Sequence, residues 1–326
     1  MNDFVIETSR LTKVFAGGVV AVNDLSLRVE RGAVYGLMGR NGAGKTTTLR
    51  LLMGLLRPTA GQAHLLGGDM ATAPRSIRSR IAYVSQAQQL PGWMTLAELS
   101  RYASHFYDQW DEKMASDIAR RWELPLNRPV GQLSGGEQRK AAITLALAPQ
   151  PEILLLDEPA AGLDALARRE LVDELISVIG RNAGCTVLFS THIITDLERI
   201  AEFVGIMDRG GLIISTRLDE LQASMRRVQI IFPGDGPPAD FTLPGSLRLE
   251  ISGPVVRAVS RLPDALFLDG LRRLPGVRVQ VFPLGLEEIF IELAAQARIG
   301  ESDEDNAERA VRERDARMVM HNNEYE

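Results

Sequence analysis

The chain is predicted to fold as an α/β protein around a mainly parallel sheet, and three observations carry that expectation. Apolar runs in "AVYGLMG", "EILLLDEP" and "CTVLFSTH" are continuous rather than alternating, the pattern of strands buried on both faces. Each is followed by a stretch with apolar residues at helical spacing: "RNGAGKTTTLRLLMGLL", "ARRELVDELISVI" and "IITDLERIAEF". Strands alternating with helices in this way build parallel sheets through crossover helices. At 326 residues the chain also exceeds ordinary single-domain size, so a large domain with a smaller companion is expected.

Taken in order, the opening "VIETSRLTKVFAGGVVAVNDLSLRVERGAVYGLMG" reads as short strands joined by glycine-containing turns, an antiparallel β subdomain that leads into the first buried strand. "SIRSRIAYVSQ" is a further strand ending at Gln86. Residues from about 87 to 150 turn aromatic, polar and helical, the character of a helical subdomain inserted in the sheet. The buried strand and helix pairs resume at "EILLLDEP" and close a domain over 1–220. Beyond it "RRVQIIF" and "VRVQVFPL" alternate like strands, "PDALFLDGLRRL" and "LGLEEIFIELAAQ" have helical spacing, and "PGDGPPADFTLPG" is turn-rich. Residues 221–296 therefore read as a small α+β accessory domain. Residues 297–326 hold nine Asp and Glu against five Arg, which places most of the net charge of −5 in what reads as a disordered, solvated tail.

That acidic balance argues against nucleic acid as a partner, because phosphate binding leaves a basic footprint. Cys185 is the single cysteine, so no internal disulfide can form, and in "CTVLFS" it reads as a small buried thiol. The N-terminus lacks a signal-peptide pattern and no window of about 18 residues is free of charge, so a cytoplasmic chain that spans no membrane is expected.

The chemistry begins at "GRNGAGKTT", which matches G-x-x-x-x-G-K-[ST] in full between a strand and a helix, as a phosphate-binding P-loop requires. Gly39, Asn41, Gly42 and Gly44 are expected to wrap backbone N–H groups around a nucleotide's phosphates, with Lys45 neutralising the β and γ oxygens. Thr46, followed by Thr47, offers a hydroxyl to Mg²⁺. "ILLLDEP" delivers two adjacent carboxylates at a strand end, where alternation points them to opposite sides. Asp157 then holds Mg²⁺ through water, and Glu158 orients and polarises the attacking water. A second anion site opens "QLSGGEQRKAAITLALA", where Ser134 caps a helix whose first free N–H groups lie at Gly135 and Gly136, with Glu137 completing a capping box.

"GRNGAGKTT", "LSGGEQ", "LLLDEPAAGLD" and "STH", in that order over roughly residues 5 to 220, resemble the nucleotide-binding subunit of an ABC transporter. The resemblance implies a P-loop NTPase core whose domains pair head to tail, as a homodimer or a heterodimer. Ser134 and Gly136 of one then contact the γ-phosphate of ATP lying on the loop of the other. It implies further that Gln86 senses Mg²⁺ and γ-phosphate, that His192 contacts the γ-phosphate, that Asp164 crosses the dimer interface and that Phe15 stacks on adenine. Glu137 stands where many relatives carry glutamine. His64, His105 and His321 show no metal spacing. A separate membrane permease subunit is implied, docking on the helical subdomain beside the Gln86 segment, with Trp93, Met94, Phe106, Tyr107 and Trp110 as candidate groove residues. This places the chain peripherally on the cytoplasmic side of the membrane. "GLEEIFIEL" resembles the ending of bacterial subunits that export drugs, antibiotics or ions. The rival reading is a non-transport ATPase of the same superfamily acting in translation or DNA maintenance, although a single set of motifs and the lack of heptads or cysteine clusters do not favour it.

Overall fold

The structure, a computed structural model, describes residues 3–296 except 88, 182–183, 235 and 262–263. The chain divides between Leu218 and Asp219 into two compact units. The acidic segment 297–326 lies outside the described residues.

The first unit opens with β1 (Phe4–Val14), β2 (Val20–Leu25) and β3 (Arg28–Glu30), followed by β4 (Val34–Gly39), α1 (Lys45–Leu52), β5 (Ala60–Leu65) and β6 (Gly68–Asp69). Strands β2, β1, β5 and β6 form an antiparallel sheet in that order, with β3 also paired to β1. Short α2 (Arg75–Arg78) leads to β7 (Ile81–Val84), and the chain then leaves the sheet for α3 (Leu96–Ser104), α4 (Glu112–Arg121) and α5 (Gly135–Leu147). It returns as β8 (Ile153–Asp157), α6 (Ala165–Arg181), β9 (Thr186–Thr191), α7 (Ile194–Ile200), β10 (Phe203–Asp208) and β11 (Gly211–Arg217).

The second sheet has the order β11-β10-β4-β9-β8-β7, all parallel except the edge strand β11. Every residue of β4, β8 and β9 is buried, which explains why their sequences are continuous apolar runs. The helical insertion carries its own small core of Leu99, Val130 and Leu133, against which Leu90, Met94 and Leu145 pack. Helix α3 starts at a capping box in which Thr95 and Glu98 serve each other's backbone N–H groups.

In the second unit, α8 (Leu218–Ser224) leads to β12 (Met225–Ile231), β13 (Ser246–Ser252), β14 (Val255–Arg261), α9 (Ala265–Arg272) and β15 (Arg278–Pro283), with a last helical stretch over 286–296. The antiparallel sheet runs β13-β14-β12-β15 and buries Val228, Ile230, Val256 and Ala258 with Leu268 and Leu271 of α9. Strands β12 and β15 and both helices match the elements read from the sequence. Strands β13 and β14 are additional: they form a hairpin that follows the turn-rich stretch.

Candidate active site

Strands β4, β9, β8 and β7 lie side by side and parallel, so their C-terminal ends share one edge, where ligands bind in open α/β sheets. Each end delivers one predicted segment: the phosphate loop after β4, His192 after β9, Asp157 and Glu158 at β8, and Gln86 after β7.

The phosphate loop depends on glycine at Gly44, which caps α1 with φ near 102°. A Cβ there would also lie 2.3 Å from the Ala21 carbonyl oxygen, so both backbone conformation and space exclude a side chain. Lys45, the first residue of α1, is only 5% exposed. Its Nζ donates to the carbonyls of Gly39 at 2.8 Å and Arg40 at 3.3 Å and pairs with Glu158 Oε1 at 3.1 Å. A buried ammonium is tolerable only when its donors are satisfied in this manner.

Asp157 is fully buried at the end of β8. Its Oδ1 accepts hydrogen bonds from Thr46 Oγ1 at 3.0 Å and Ser190 Oγ at 2.7 Å, while Oδ2 is buried without a hydrogen-bond partner. An anionic oxygen in that state fits a cation or its bound water, and the Thr46 hydroxyl beside it completes an oxygen donor set of the hard type that Mg²⁺ prefers.

Glu158 lies just past the strand with φ near 49°, a left-handed conformation that costs a non-glycine residue about 1–3 kcal/mol. Strand alternation, which the sequence reading used to aim this carboxylate, therefore does not set its direction; the turn does. Its backbone N–H donates to Ser190 Oγ at 2.9 Å. Its carboxylate bridges Lys45 through Oε1 and His192 Nδ1 through Oε2, the latter at 2.6 Å. Lys45, Thr46, Asp157, Glu158 and His192 thus form one hydrogen-bonded cluster. Ser190, which the sequence reading passed over, ties both acidic residues together. The signal was available, since Ser190 sits two residues before His192 in "FSTH".

The other candidates stand apart from this cluster. Gln86 is exposed two residues beyond β7, and its main-chain oxygen accepts from Arg139 Nη2 at 2.7 Å. Asn41 and Gly42 are exposed on the loop, and Thr47 is half-buried on α1. Ser134 caps α5: its Oγ accepts from Glu137 N, and Glu137 Oε2 takes the Ser134 backbone N–H and hydroxyl at 2.7 Å each. These bonds hold the Glu137 carboxyl below its usual range. A Cβ on Gly135 would meet open space, and one on Gly136 would approach Leu163 Cδ2 at 3.1 Å. Asp164 caps α6, its Oδ1 accepting from Leu166 N and Ala167 N. Phe15 is 40% exposed, with the Lys13 ammonium 5.4 Å from its ring centre. Cys185 is buried, its thiol pushed up to about 12 mainly by desolvation. Among the described residues no group of three or more His, Cys, Asp or Glu could hold a metal ion.

A family model described as "ABC transporter" matches residues 22–161, which include the phosphate loop, the Ser134 segment and the Asp157–Glu158 pair. The Nod factor export ATP-binding protein I of Sinorhizobium fredii is 33% identical over 304 residues, covering 90% of this chain and 87% of that protein. The chain belongs to the ABC transporter ATP-binding subunits. This ABC subunit is also 32% identical over 324 residues to the daunorubicin/doxorubicin resistance ATP-binding protein DrrA of Streptomyces peucetius, covering 93% of this chain and 96% of the relative. A solved ATP-binding subunit of an ABC transporter superposes with a TM-score of 0.61 at 28% identity, over 67% of this chain and 92% of that one. A dimeric ATP-binding cassette in a post-hydrolysis state, bound to ADP and Pi, superposes with a TM-score of 0.59 at 26% identity, over 65% of this chain and 98% of that one. The cassettes thus cover about the share held by the first unit, whereas the two export and resistance relatives extend over nearly the whole ABC subunit. It binds and hydrolyses ATP as the ATPase subunit of a transporter, and the rival assignment to translation or DNA maintenance gains nothing from these relatives.

Proposed function

We propose that the chain powers export, hydrolysing ATP with Mg²⁺ at two sites shared between paired copies or with a second ATPase chain, and that it works from the cytoplasmic face against a separate membrane permease. The observation that carries the catalytic part is the Glu158 carboxylate, buried at a strand end and gripped on opposite oxygens by Lys45 and His192. Export rests on the relatives, which are named for Nod factor export and for drug resistance.

The phosphates of ATP lie on the loop from Gly39 to Thr47, with Phe15 against the adenine. Lys45, drawn to the β and γ oxygens, then lets go of the loop carbonyls and of Glu158 Oε1. That oxygen is freed for the attacking water, while His192 keeps Oε2 fixed and so keeps the carboxylate aimed. Thr46, Asp157 through its free Oδ2, and Gln86 would hold Mg²⁺, which supplies charge screening between the phosphates. Water oxygen bonds to the γ-phosphorus as the bond to the bridging oxygen breaks and a water proton passes to the Glu158 carboxylate, leaving ADP and phosphate. Ser134, Gly135 and Gly136 of the opposing copy cap the γ-phosphate, with Asp164 at the same seam. Loss of that phosphate removes the contact that holds the pair shut.

Substitution Glu158→Gln tests this. Turnover should fall about 10²–10⁴-fold, the loss typical of removing a general base, while ATP accumulates a stable dimer visible by light scattering. A variant that stays monomeric with wild-type turnover would refute the assignment. The expected accessory role of residues 221–296 belongs to the same proposal: the export-type relatives share this region, and the solved cassettes are too short to include it.

A further inference from the structure

Arg139 lies on α5 five residues beyond Ser134, yet its side chain reaches away from the helix start to the end of β7. Nη1 donates to the Ser85 carbonyl at 2.9 Å and Nη2 to the Gln86 carbonyl at 2.7 Å. One planar guanidinium therefore holds two successive main-chain acceptors, a geometry that the single point charge of lysine does not reproduce. The group is half-buried, and burial pulls its pKa down against the partly opposing charge of the Asp157 carboxylate. The ion pair that neighbouring Lys140 makes with Glu170 at 3.3 Å involves a half-exposed carboxylate and contributes about 0–1 kcal/mol. Ala141, Ala142 and Ile143 of the helix are buried, and apolar burial by itself is non-directional. The Arg139 fork is directional.

We propose that Arg139 is a positioning residue that locks the Ser134 end of α5 to the Gln86 segment, so that ATP bound on a chain's own phosphate loop sets the orientation of the anion site that the chain offers to its partner. The proposal rests on the reading of Gln86 and Ser134 given above. It places the coupling between a subunit's two nucleotide surfaces inside one chain, in two hydrogen bonds, ahead of any contact between subunits.

The test uses the full chain at a concentration where light scattering shows a monomer, with the non-hydrolysable analogue AMP-PNP and Mg²⁺ as probe. Hydrogen–deuterium exchange is followed over residues 133–140 in the wild type, Arg139→Gln and Arg139→Lys, and nucleotide affinity is measured by calorimetry. Wild-type exchange over 133–140 should slow at least threefold on nucleotide binding. Arg139→Gln should bind nucleotide within about threefold of wild type and lose that response, and Arg139→Lys should recover at most part of it. Arg139→Lys, which keeps the charge, carries the comparison should Arg139→Gln fold poorly. A wild-type response in the variants overturns the proposal, and so does loss of nucleotide binding, which would make Arg139 part of the pocket itself. A wild type that binds no nucleotide would instead overturn the reading of the whole site, and this proposal with it.

Discussion

Ser190 shows how much of this site depends on one hydroxyl. It donates to Asp157 Oδ1 and accepts from the Glu158 backbone N–H, so it fixes the buried Asp157 carboxylate and the left-handed turn that aims its neighbour. A hydrogen bond to a charged group contributes about 1.5–3 kcal/mol, enough to offset the strain at Glu158. Ser190→Ala should therefore lower stability by about 2 kcal/mol in urea unfolding and reduce kcat about tenfold with little change in the KM for ATP, because the phosphate loop is untouched. A pure loss of nucleotide affinity would contradict this. Gly44→Ala should do the opposite. Its new methyl would collide with the Ala21 carbonyl and demand a forbidden φ, so nucleotide binding should fail before chemistry is reached, as a fluorescent ATP analogue would report.

At the scale of elements, α5 begins with a complete capping box, and its pH behaviour is predictable. The Ser134 hydroxyl and backbone N–H depress the Glu137 carboxyl, so its contribution is present above the unfolded carboxyl pKa and is lost as pH falls through the folded one. Glu137→Ala should lower the melting temperature at pH 7, and that difference should shrink steadily below about pH 4.5. A gap that persists at pH 3 would mean packing, not charge, is at work. This box was legible in "LSGGE", as were β4, β8 and β9, because buried parallel strands leave continuous apolar runs and capping residues act within three positions of each other. Other features were hidden for physical reasons. Strand β13 is exposed along much of its length, so its side chains leave little of the half-buried signal by which a strand is recognised. The Arg139 fork joins residues more than fifty apart, and its acceptors are main-chain carbonyls, which every residue has. The direction of the Glu158 carboxylate follows from a turn that no composition rule marks.

For the whole molecule the open question is how hydrolysis reaches a membrane. Among the described residues no helix is long and apolar enough to cross one, and the proposed export function passes the work to a separate membrane chain. The helical insertion offers aromatic surface for this. Trp93 is 80% exposed, and Tyr102 and Phe106 are exposed in an edge-to-face pair with ring centres 5.1 Å apart. Two of the other groove candidates are less available: Met94 packs on the small core, and the Trp110 indole N–H is taken by Glu112. Exposed aromatic surface is costly to leave in water and matches a helix docking into a groove. Arg139 ties α5 of the same insertion to the Gln86 segment, so under the coupling proposed above a force on this surface has a directional route to the nucleotide. Trp93→Glu should then cut recovery of the chain with solubilised membranes at least fivefold in a pull-down, while ATP-induced dimerisation, assigned above to the phosphate loop and Ser134–Gly136 rather than to Trp93, persists in light scattering. Undiminished recovery would move the docking surface off Trp93, and loss of dimerisation alongside would show that the substitution had damaged the insertion rather than its partner contact.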